Sequence, residues 1–453
     1  MKIITIIFSR CFILFVLLMP TSYITAQYNT EHYQSQFCYG HYESTLGRVT
    51  DMNDYIISYH FDVFGEFHRT DVSSGQSIKF NIPEEVRVYD LEIFEDEVYF
   101  CGQYNNSGVV GHFPLEAFDY GFYEEGSAPP SGTSPYPTTI AFWYATVPEV
   151  VELTKIDVYR FLPDSEVSVA AVGTAVDNIS TGVYLFSMGI STISYCYFGT
   201  NSSYYGIFQD VAVTDNYIVT SGVYNFSSPN DIVITVIDKS NLATLNAFFY
   251  QETAGDMNSY YYSIVNLQND EVALSSLCLS KPSYVNALHV FDVPSHTFTH
   301  SQVVPVIEKH PYRNEMLYFA EDSTLMLAQI NEYPTSGIYS SVIYEKNPYY
   351  TVPYVSNTIY NNDSTLHSLA RFPDSRFLAS GEFPSGEHSY FIRDKQASFQ
   401  SGCFKSNQHV VTINKTPKPK GTLQTSLYMY AVQLQKEFPA IIQSGVVLKC
   451  QNQ

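Results

Sequence analysis

The sequence predicts an all-β chain in which a small antiparallel unit recurs about every 50 residues, and three observations predict it. Acidic or Asn-bearing turns, each followed by an apolar strand, return along the chain with turn acids at positions 54, 96, 164, 215, 270, 322 and 374. Tyr and Phe are abundant, at 39 and 31 residues, while charged residues are only 15% of the chain, a balance that favours half-buried strands. No window sustains the 3.6-residue apolar period of an amphipathic helix, so helix content should be very low.

The N-terminus reads as an export signal. Lys2 and Arg10 supply a basic n-region, and Cys11 to Met19 (CFILFVLLM) an apolar h-region. Ile24-Thr25-Ala26 then forms a small-residue cleavage site, so residues 1–26 are expected to be removed near Ala26. Nine strongly apolar residues fall short of the roughly 20 that cross a bilayer, and no later run is long enough either. The expected protein is secreted or periplasmic, with no transmembrane segment and a monomeric state.

Without that segment the chain carries 21 Lys+Arg against 45 Asp+Glu, a formal charge of −24. Nucleic acid is a poor partner for such a surface, because phosphate recognition needs clustered cations. The charge serves solubility; calcium on some of the acidic residues is the cofactor alternative. Six cysteines remain (Cys38, Cys101, Cys196, Cys278, Cys403 and Cys450), enough for three disulfides in an exported chain. Their wide spacing contains no CxxC, which argues against zinc. Cys101 and Cys278 sit in apolar strand-like runs and suit buried thiols. Cys38 near the mature start, with Cys403 and Cys450 near the end, are the candidates for a bridge that ties the termini.

The recurring unit is clear when the turns are aligned. Asp90–Asp96 leads into Val98-Tyr-Phe-Cys-Gly102, and Val158–Asp164 into Val167-Ser-Val-Ala-Ala-Val-Gly173. Gln209–Asp215 leads into Tyr217–Gly222, Ser263–Asp270 into Val272–Ser276, Leu317–Asp322 into Leu325–Ala328, and His367–Asp374 into Phe377–Gly381. A weaker copy, Asn53-Asp54 into Tyr55–Tyr59, precedes them. Each is a hairpin signal, two apolar strands around a polar turn and often a closing Gly. A third strand usually follows and ends in an acid, as in Ile232–Asp238, Ala287–Asp292 and Tyr390–Asp394. The last four intervals between turn acids run from 51 to 55 residues, which decides for a repeat.

One unit of three or four short strands cannot bury both of its faces. Stacking units around an axis does so, and closing the ring removes exposed edges. Residues 27–453 are therefore expected to form a single β-propeller of about seven blades, with six and eight as alternatives. The segments Val410–Ile413, Ser426–Gln433 and Gly445–Cys450 supply strands that could finish a blade begun elsewhere.

Over most of its mature length the chain resembles the β-propeller superfamily, and is similar to exported propellers of bacterial surface and periplasmic proteins. It meets no subfamily signature. There is no Trp-Asp repeat end, no Gly-Gly doublet of kelch repeats and no Ser-x-Asp-x-Gly-x-x-Trp box of sialidases, and one Trp cannot supply a tryptophan-docking series. Each absence removes a function that the architecture alone would suggest.

Candidate sites are few. The repeat is interrupted by an insertion at about 121–150 that contains the Pro-rich Ser127–Pro137 and then Phe142-Trp143-Tyr144. Trp143 and Tyr144 are the ligand candidates, as flat rings suited to a sugar or peptide. The competing reading is a strand over 140–145 whose aromatics pack into a blade. His289, His296 and His300, with His310 nearby, invite a metal reading. Against it, His289 lies in an apolar strand, and His296 and His300 bracket a Thr-Phe-Thr turn. On an extended strand residues four apart stand about 13 Å apart, too far to chelate directly.

No Gly-x-Ser-x-Gly, His-Glu-x-x-His or phosphate loop occurs, so no catalytic residue is assigned. Paired carboxylates such as Glu84-Glu85 and Glu321-Asp322 are what any acidic surface supplies, and turn propensity explains the repeated turn acids. Sequons stand at Asn105, Asn178, Asn201, Asn225, Asn362 and Asn414. The functional expectation is an extracytoplasmic binding or scaffold propeller that presents loops to a glycan, peptide or partner protein. The alternative is a carbohydrate-active hydrolase or lyase with its site in the propeller funnel.

Overall fold

A computed structural model describes the chain between Thr30 and Gln451; residues 1–29, 119–140, 452–453 and several shorter connecting stretches lie outside the described residues, and some strands are described by backbone alone. Almost everything described is strand. Besides tight turns there is one 3-10 turn, at Leu115–Phe118, and no α-helix among the described residues.

Strand β1 (Thr30–Tyr39) comes first, and the chain then lays down antiparallel runs in sequence order. The first run is β2 (Glu43–Val49), β3 (Asp54–Phe61), β4 (Gly65–Asp71) and β5 (Gln76–Ile82). The second is β6 (Val86–Phe94), β7 (Glu97–Tyr104), β8 (Ser107–Pro114) and β9 (Ala141–Tyr144). The third is β10 (Val150–Arg160), β11 (Val167–Ala175), β12 (Thr181–Ser187) and β13 (Thr192–Asn201). The fourth is β14 (Tyr204–Val213), β15 (Tyr217–Tyr224), β16 (Asp231–Asp238) and β17 (Thr244–Gln251). The fifth is β18 (Ser259–Asn266), β19 (Glu271–Ser280), β20 (Ser283–Asp292) and β21 (Thr297–Pro305). The sixth is β22 (Pro311–Phe319), β23 (Thr324–Asn331), β24 (Ser341–Lys346) and β25 (Tyr354–Ile359). The last is β26 (Thr365–Arg371), β27 (Arg376–Glu382) and β28 (Glu387–Asp394), completed by β1, which pairs antiparallel with β28.

The first strands pack in a cycle. β2 contacts β6, β6 contacts β10, and so on through β14, β18, β22 and β26, which returns to β2. A closed cycle of small antiparallel sheets, each packed face to face on the next, is a β-propeller. The turn acids at 96, 164, 215, 270, 322 and 374 all fall between a first and a second strand, and Asp54 opens the second strand of its run.

The cores lie between successive runs, which explains why second strands read as near-continuous apolar stretches. Along β7, Val98 and Phe100 face back to Tyr59 and Phe67, whereas Tyr99 and Cys101 face forward to Leu153 and Val169. Along β11, Val169 and Ala171 face the second run, and Ala170 and Val172 face Phe208 and Ile218 of the fourth. With a side-chain period of two, both faces of one strand are buried.

The C-terminal strands differ from expectation. They do not finish an incomplete blade; the N-terminal β1 does that. Instead β29 (Phe404–His409), β30 (Thr412–Ile413), β31 (Lys418–Ser426), β32 (Tyr428–Ala431), β33 (Gln433–Leu434) and β34 (Ile441–Gln451) run back along the outside. They add to β25, β21, β17, β13 and β9 in turn, and β34 then bridges β5 and β1. The physical reason is edge protection: the fourth strand of each run ends a sheet with unpaired N–H and C=O groups, and one returning segment pairs them.

Candidate functional site

The site with the densest chemistry lies on the first strands. Most of them carry a bulge near the start. The pairing register shifts by one residue at Tyr89 in β6, Thr154 in β10, Gln209 in β14, Tyr261 in β18, Tyr312 in β22 and His367 in β26. The residue just before the bulge faces the repeat's closing Gly in four runs: Val88 opposite Gly102, Leu153 opposite Gly173, Phe208 opposite Gly222 and Leu366 opposite Gly381. The glycine is required by close backbone approach, since a Cβ on Gly102 would stand 1.8 Å from the Arg87 carbonyl oxygen and one on Gly173 2.1 Å from that of Glu152.

A bulge re-aims the side chains that follow it. The first residues after the bulges are Asp90, Lys155 and Asp210, and two positions on come Glu92 and Asp157, with Glu315 in the equivalent place on β22. These groups meet. Lys155 Nζ lies 3.4 Å from Asp90 Oδ1 and 3.2 Å from Glu315 Oε1, reaching from the third run to the second and the sixth. Lys155, Asp90 and Glu315 are only 20%, 15% and 11% exposed.

The carboxyls also clasp the backbone of the next run. The Ile156 N–H donates to Asp90 Oδ2 (3.0 Å) and the Val158 N–H to Glu92 Oε2 (2.7 Å). The Val213 N–H donates to Asp157 Oδ2 (2.5 Å). Asp210 Oδ2 accepts from the Ile264 N–H (2.9 Å) and the Ser263 hydroxyl (3.0 Å). Acid from one first strand to amide of the next, repeated from the second run to the fifth, is a series of inter-run clamps.

Enclosure raises these carboxyls. Burial pushes Asp210 up to about 6 and Asp157 up to about 7, against the lowering by their N–H donors. Glu92 is raised well above its usual range by burial and by the neighbouring Asp157, to which it hydrogen-bonds. That contact ties the two carboxyls into one pair, whose protons come off in steps that belong to the pair. Burial also raises Asp90, with Lys155 acting the other way.

Chemically the pair can hold a proton near neutral pH. It is not spaced as a glycosidase pair, whose carboxyls stand roughly 5 to 10 Å apart to admit a sugar or water. Among the described residues no group of three or more His, Cys, Asp or Glu is placed to hold a metal ion.

A second polar cluster lies inside the fifth run. Glu252, just beyond β17, accepts from Ser276 Oγ (3.1 Å) and from His289 Nε2 (2.9 Å), and His289 Nδ1 faces Ser301 Oγ at 2.9 Å. A carboxylate only accepts, so His289 donates to Glu252 from Nε2. Glu, His and Ser are the residue types of an acyl-transfer triad, but Glu252, His289 and Ser301 are 5%, 1% and 4% exposed, which leaves a substrate no approach. The cluster is a buried tie between the fourth and fifth runs.

Of the residues singled out in the sequence, His289 is thus structural. His296 stacks on Phe248 at 4.1 Å, and His300 meets Tyr349 edge-on at 5.5 Å. The expected Thr-Phe-Thr turn between them is a correction: Thr297 already begins β21, and the turn is 293–296, with His296 at φ 55°. Trp143 and Tyr144 lie on β9, opposite Val110 and Val109 on one side and Leu434 and Gln433 on the other. Their side chains lie outside the described residues, as do those of Cys38, Cys403 and Cys450, the signal segment and residues 121–140. Cys101 is a free buried thiol that donates to the Leu153 carbonyl at 3.3 Å. Turn acids work structurally where described: Asp270 accepts from Thr214 Oγ1 (2.6 Å) and Asn216 Nδ2 (2.7 Å) of the preceding run.

No protein-family model matches the chain, and no curated protein matches it. Among solved structures it is similar to the β-propeller domain of the Trilobed protease from Pyrococcus furiosus, described as having an open velcro topology. The likeness has a TM-score of 0.40 at 10% identity and covers 81% of this chain and 98% of that one. So low a score carries no argument; strand pairing and the closed cycle of first strands define the class, an all-β propeller built as a generic scaffold. Among the described residues no helix is long and apolar enough to cross a membrane.

Proposed function

We propose that this is an exported, seven-bladed propeller that acts outside the cytoplasm as a binding or scaffold module, presenting its loops to a glycan, peptide or partner protein. One observation carries the reading: the axial carboxyls, the groups that funnel chemistry would use, are engaged in clamping each run to the next. Recognition then falls to the connections between strands, which vary in length while the strands repeat. Trp143 and Tyr144 are the proposed aromatic contacts, and calcium on the acidic turns is the proposed ion.

The test is a thermal-shift screen of the mature protein against oligosaccharides, calcium and zinc, with and without chelator. A ligand at 100 times its Kd adds about 2.7 kcal/mol of stability. A sugar-specific shift lost in Trp143→Ala, with the unliganded Tm unchanged, supports the reading. A Trp143→Ala variant that lowers Tm and leaves the shift intact assigns Trp143 to packing. The second reading is a carbohydrate-active hydrolase or lyase with its site in the propeller funnel, which needs carboxyls other than the hydrogen-bonded Glu92–Asp157 pair. Turnover of a polysaccharide, abolished by a single carboxylate or Tyr substitution in the funnel, would establish it.

A further inference from the structure

The returning C-terminal segment differs in charge from the ring it encircles. Residues 404–453 hold six Lys and one acidic residue, whereas residues 27–403 hold 15 Lys+Arg and 44 Asp+Glu. The best described part of that segment, β31, pairs antiparallel with β17 from Thr244 opposite Ser426 to Gln251 opposite Lys418, with a shift between Phe249 and Tyr250.

The two strands are held very differently. β17 buries Leu245, Ala247, Phe248, Phe249 and Tyr250 in the cores on its two faces. In β31 every residue from Lys418 to Gln424 is exposed, Leu423 is 50% exposed, and a Cβ on Gly421 would meet nothing within 4 Å. Between its ends β31 is thus fixed by ladder hydrogen bonds, and its ends are anchored by the buried Pro417, by Leu427 packed on the fourth-run core, and by the Leu427 N–H to the Ala243 carbonyl (3.0 Å). A segment with so little buried surface opens at far lower cost than the ring.

We propose that the β17 edge is a strand-accepting site whose ligand is the β31 segment of a second copy of this chain, the chain's own β31 being its resident occupant. The ring presents a preformed antiparallel edge, and the sequence that fits it in length and register is that of β31 itself. Exchange of an identical element between copies makes the same bonds twice and needs only that the resident strand leave. The site lies on the outer edge of the fourth run and stands apart from the loop-borne ligand proposed above.

The experiment uses full-length chains. Asn246 stands opposite Gln424, so their Cβ atoms are neighbours within disulfide reach. Asn246→Cys and Gln424→Cys chains are made separately, mixed and oxidised, and the products are mapped by mass spectrometry. The expected result is a covalent dimer linked 246 to 424, its yield rising with protein concentration, and absent when Ser426→Cys replaces Gln424→Cys. The double variant on one chain should close internally at low concentration, which reports the resident pairing. Internal closure with no link between copies at any concentration would overturn the proposal, and so would failure of both. Hydrogen exchange is the second readout: amides of 418–426 should exchange at least on the order of 100-fold faster than those of β15 and β16, and equal protection would also overturn it.

Discussion

Replacing Asp157 with Asn tests the axial proton directly. Burial holds the Asp157 carboxyl near 7 in the folded chain, against about 3.9 in an unfolded one. Between those values the folded state keeps a proton that the unfolded state has released. Stability from this group is therefore highest at the acid end, falls as pH climbs from about 4 to about 7, and is level above. At 1.36 kcal/mol per pH unit, the stretch from pH 5 to pH 7 corresponds to about 3 kcal/mol. With an unfolding entropy of about 2.1 cal/mol/K per residue, a chain of 453 residues shifts by about 1 °C per kcal/mol, hence by about 3 °C. Asn is neutral at every pH, keeps an acceptor for the Val213 N–H and directs an amide at Glu92. A net charge of −22 makes the whole chain repel itself more as pH rises, so the informative quantity is the difference between the two proteins. Thermal melts at pH 5, 6, 7 and 8 should show Asp157→Asn merging with wild type near pH 5 and melting about 3 °C above it at pH 8. Parallel profiles across that range would refute the assignment of the proton to this pair.

Lys155→Met leaves Asp90 and Glu315 enclosed without their cation and should cost about 3 kcal/mol in urea unfolding, part of which Glu315→Gln in the same chain should restore. Gly102→Ala drives a Cβ into the Arg87 carbonyl and should cost 3 kcal/mol or more, at about the level of the worst core substitutions; Gly421→Ala, with open space around it, should change stability by less than about 0.5 kcal/mol. Glu252→Ala strands the buried donors of Ser276 and His289 and should cost about 2 kcal/mol, whereas Glu252→Gln keeps an acceptor and should cost less, as read by the shift in denaturant midpoint.

Much of the fold was legible because the signals that carry it are local. A polar turn between two apolar strands reports itself within a dozen residues, and every such turn found by reading the chain joins the first and second strands of a run. The axial cluster was not legible. Asp90, Asp157, Asp210 and Glu315 stand six, seven, five and seven residues ahead of their turn acids, so no fixed spacing aligns them. The bulge aligns them, and a bulge is a property of pairing between strands. Its one trace in the sequence is the Gly that closes the second strand, at 102, 173, 222 and 381. The Glu252–His289–Ser301 tie was equally hidden, because its members come from a link, a third strand and a fourth strand.

By itself, then, the sequence determined the class of element, the repeat and its phase, since turn chemistry and two-residue alternation act between near neighbours. It also determined the basic character of the last fifty residues, although their destination was not readable: strands such as Thr412–Ile413 and Gln433–Leu434 are too short to declare a partner. Tertiary structure decided which strand closes the last run, which edges the tail covers, and which carboxyls share a proton. Each of those depends on groups far apart in the chain meeting across a closed ring, where enclosure and a neighbouring backbone, not the residue's own type, set what it does.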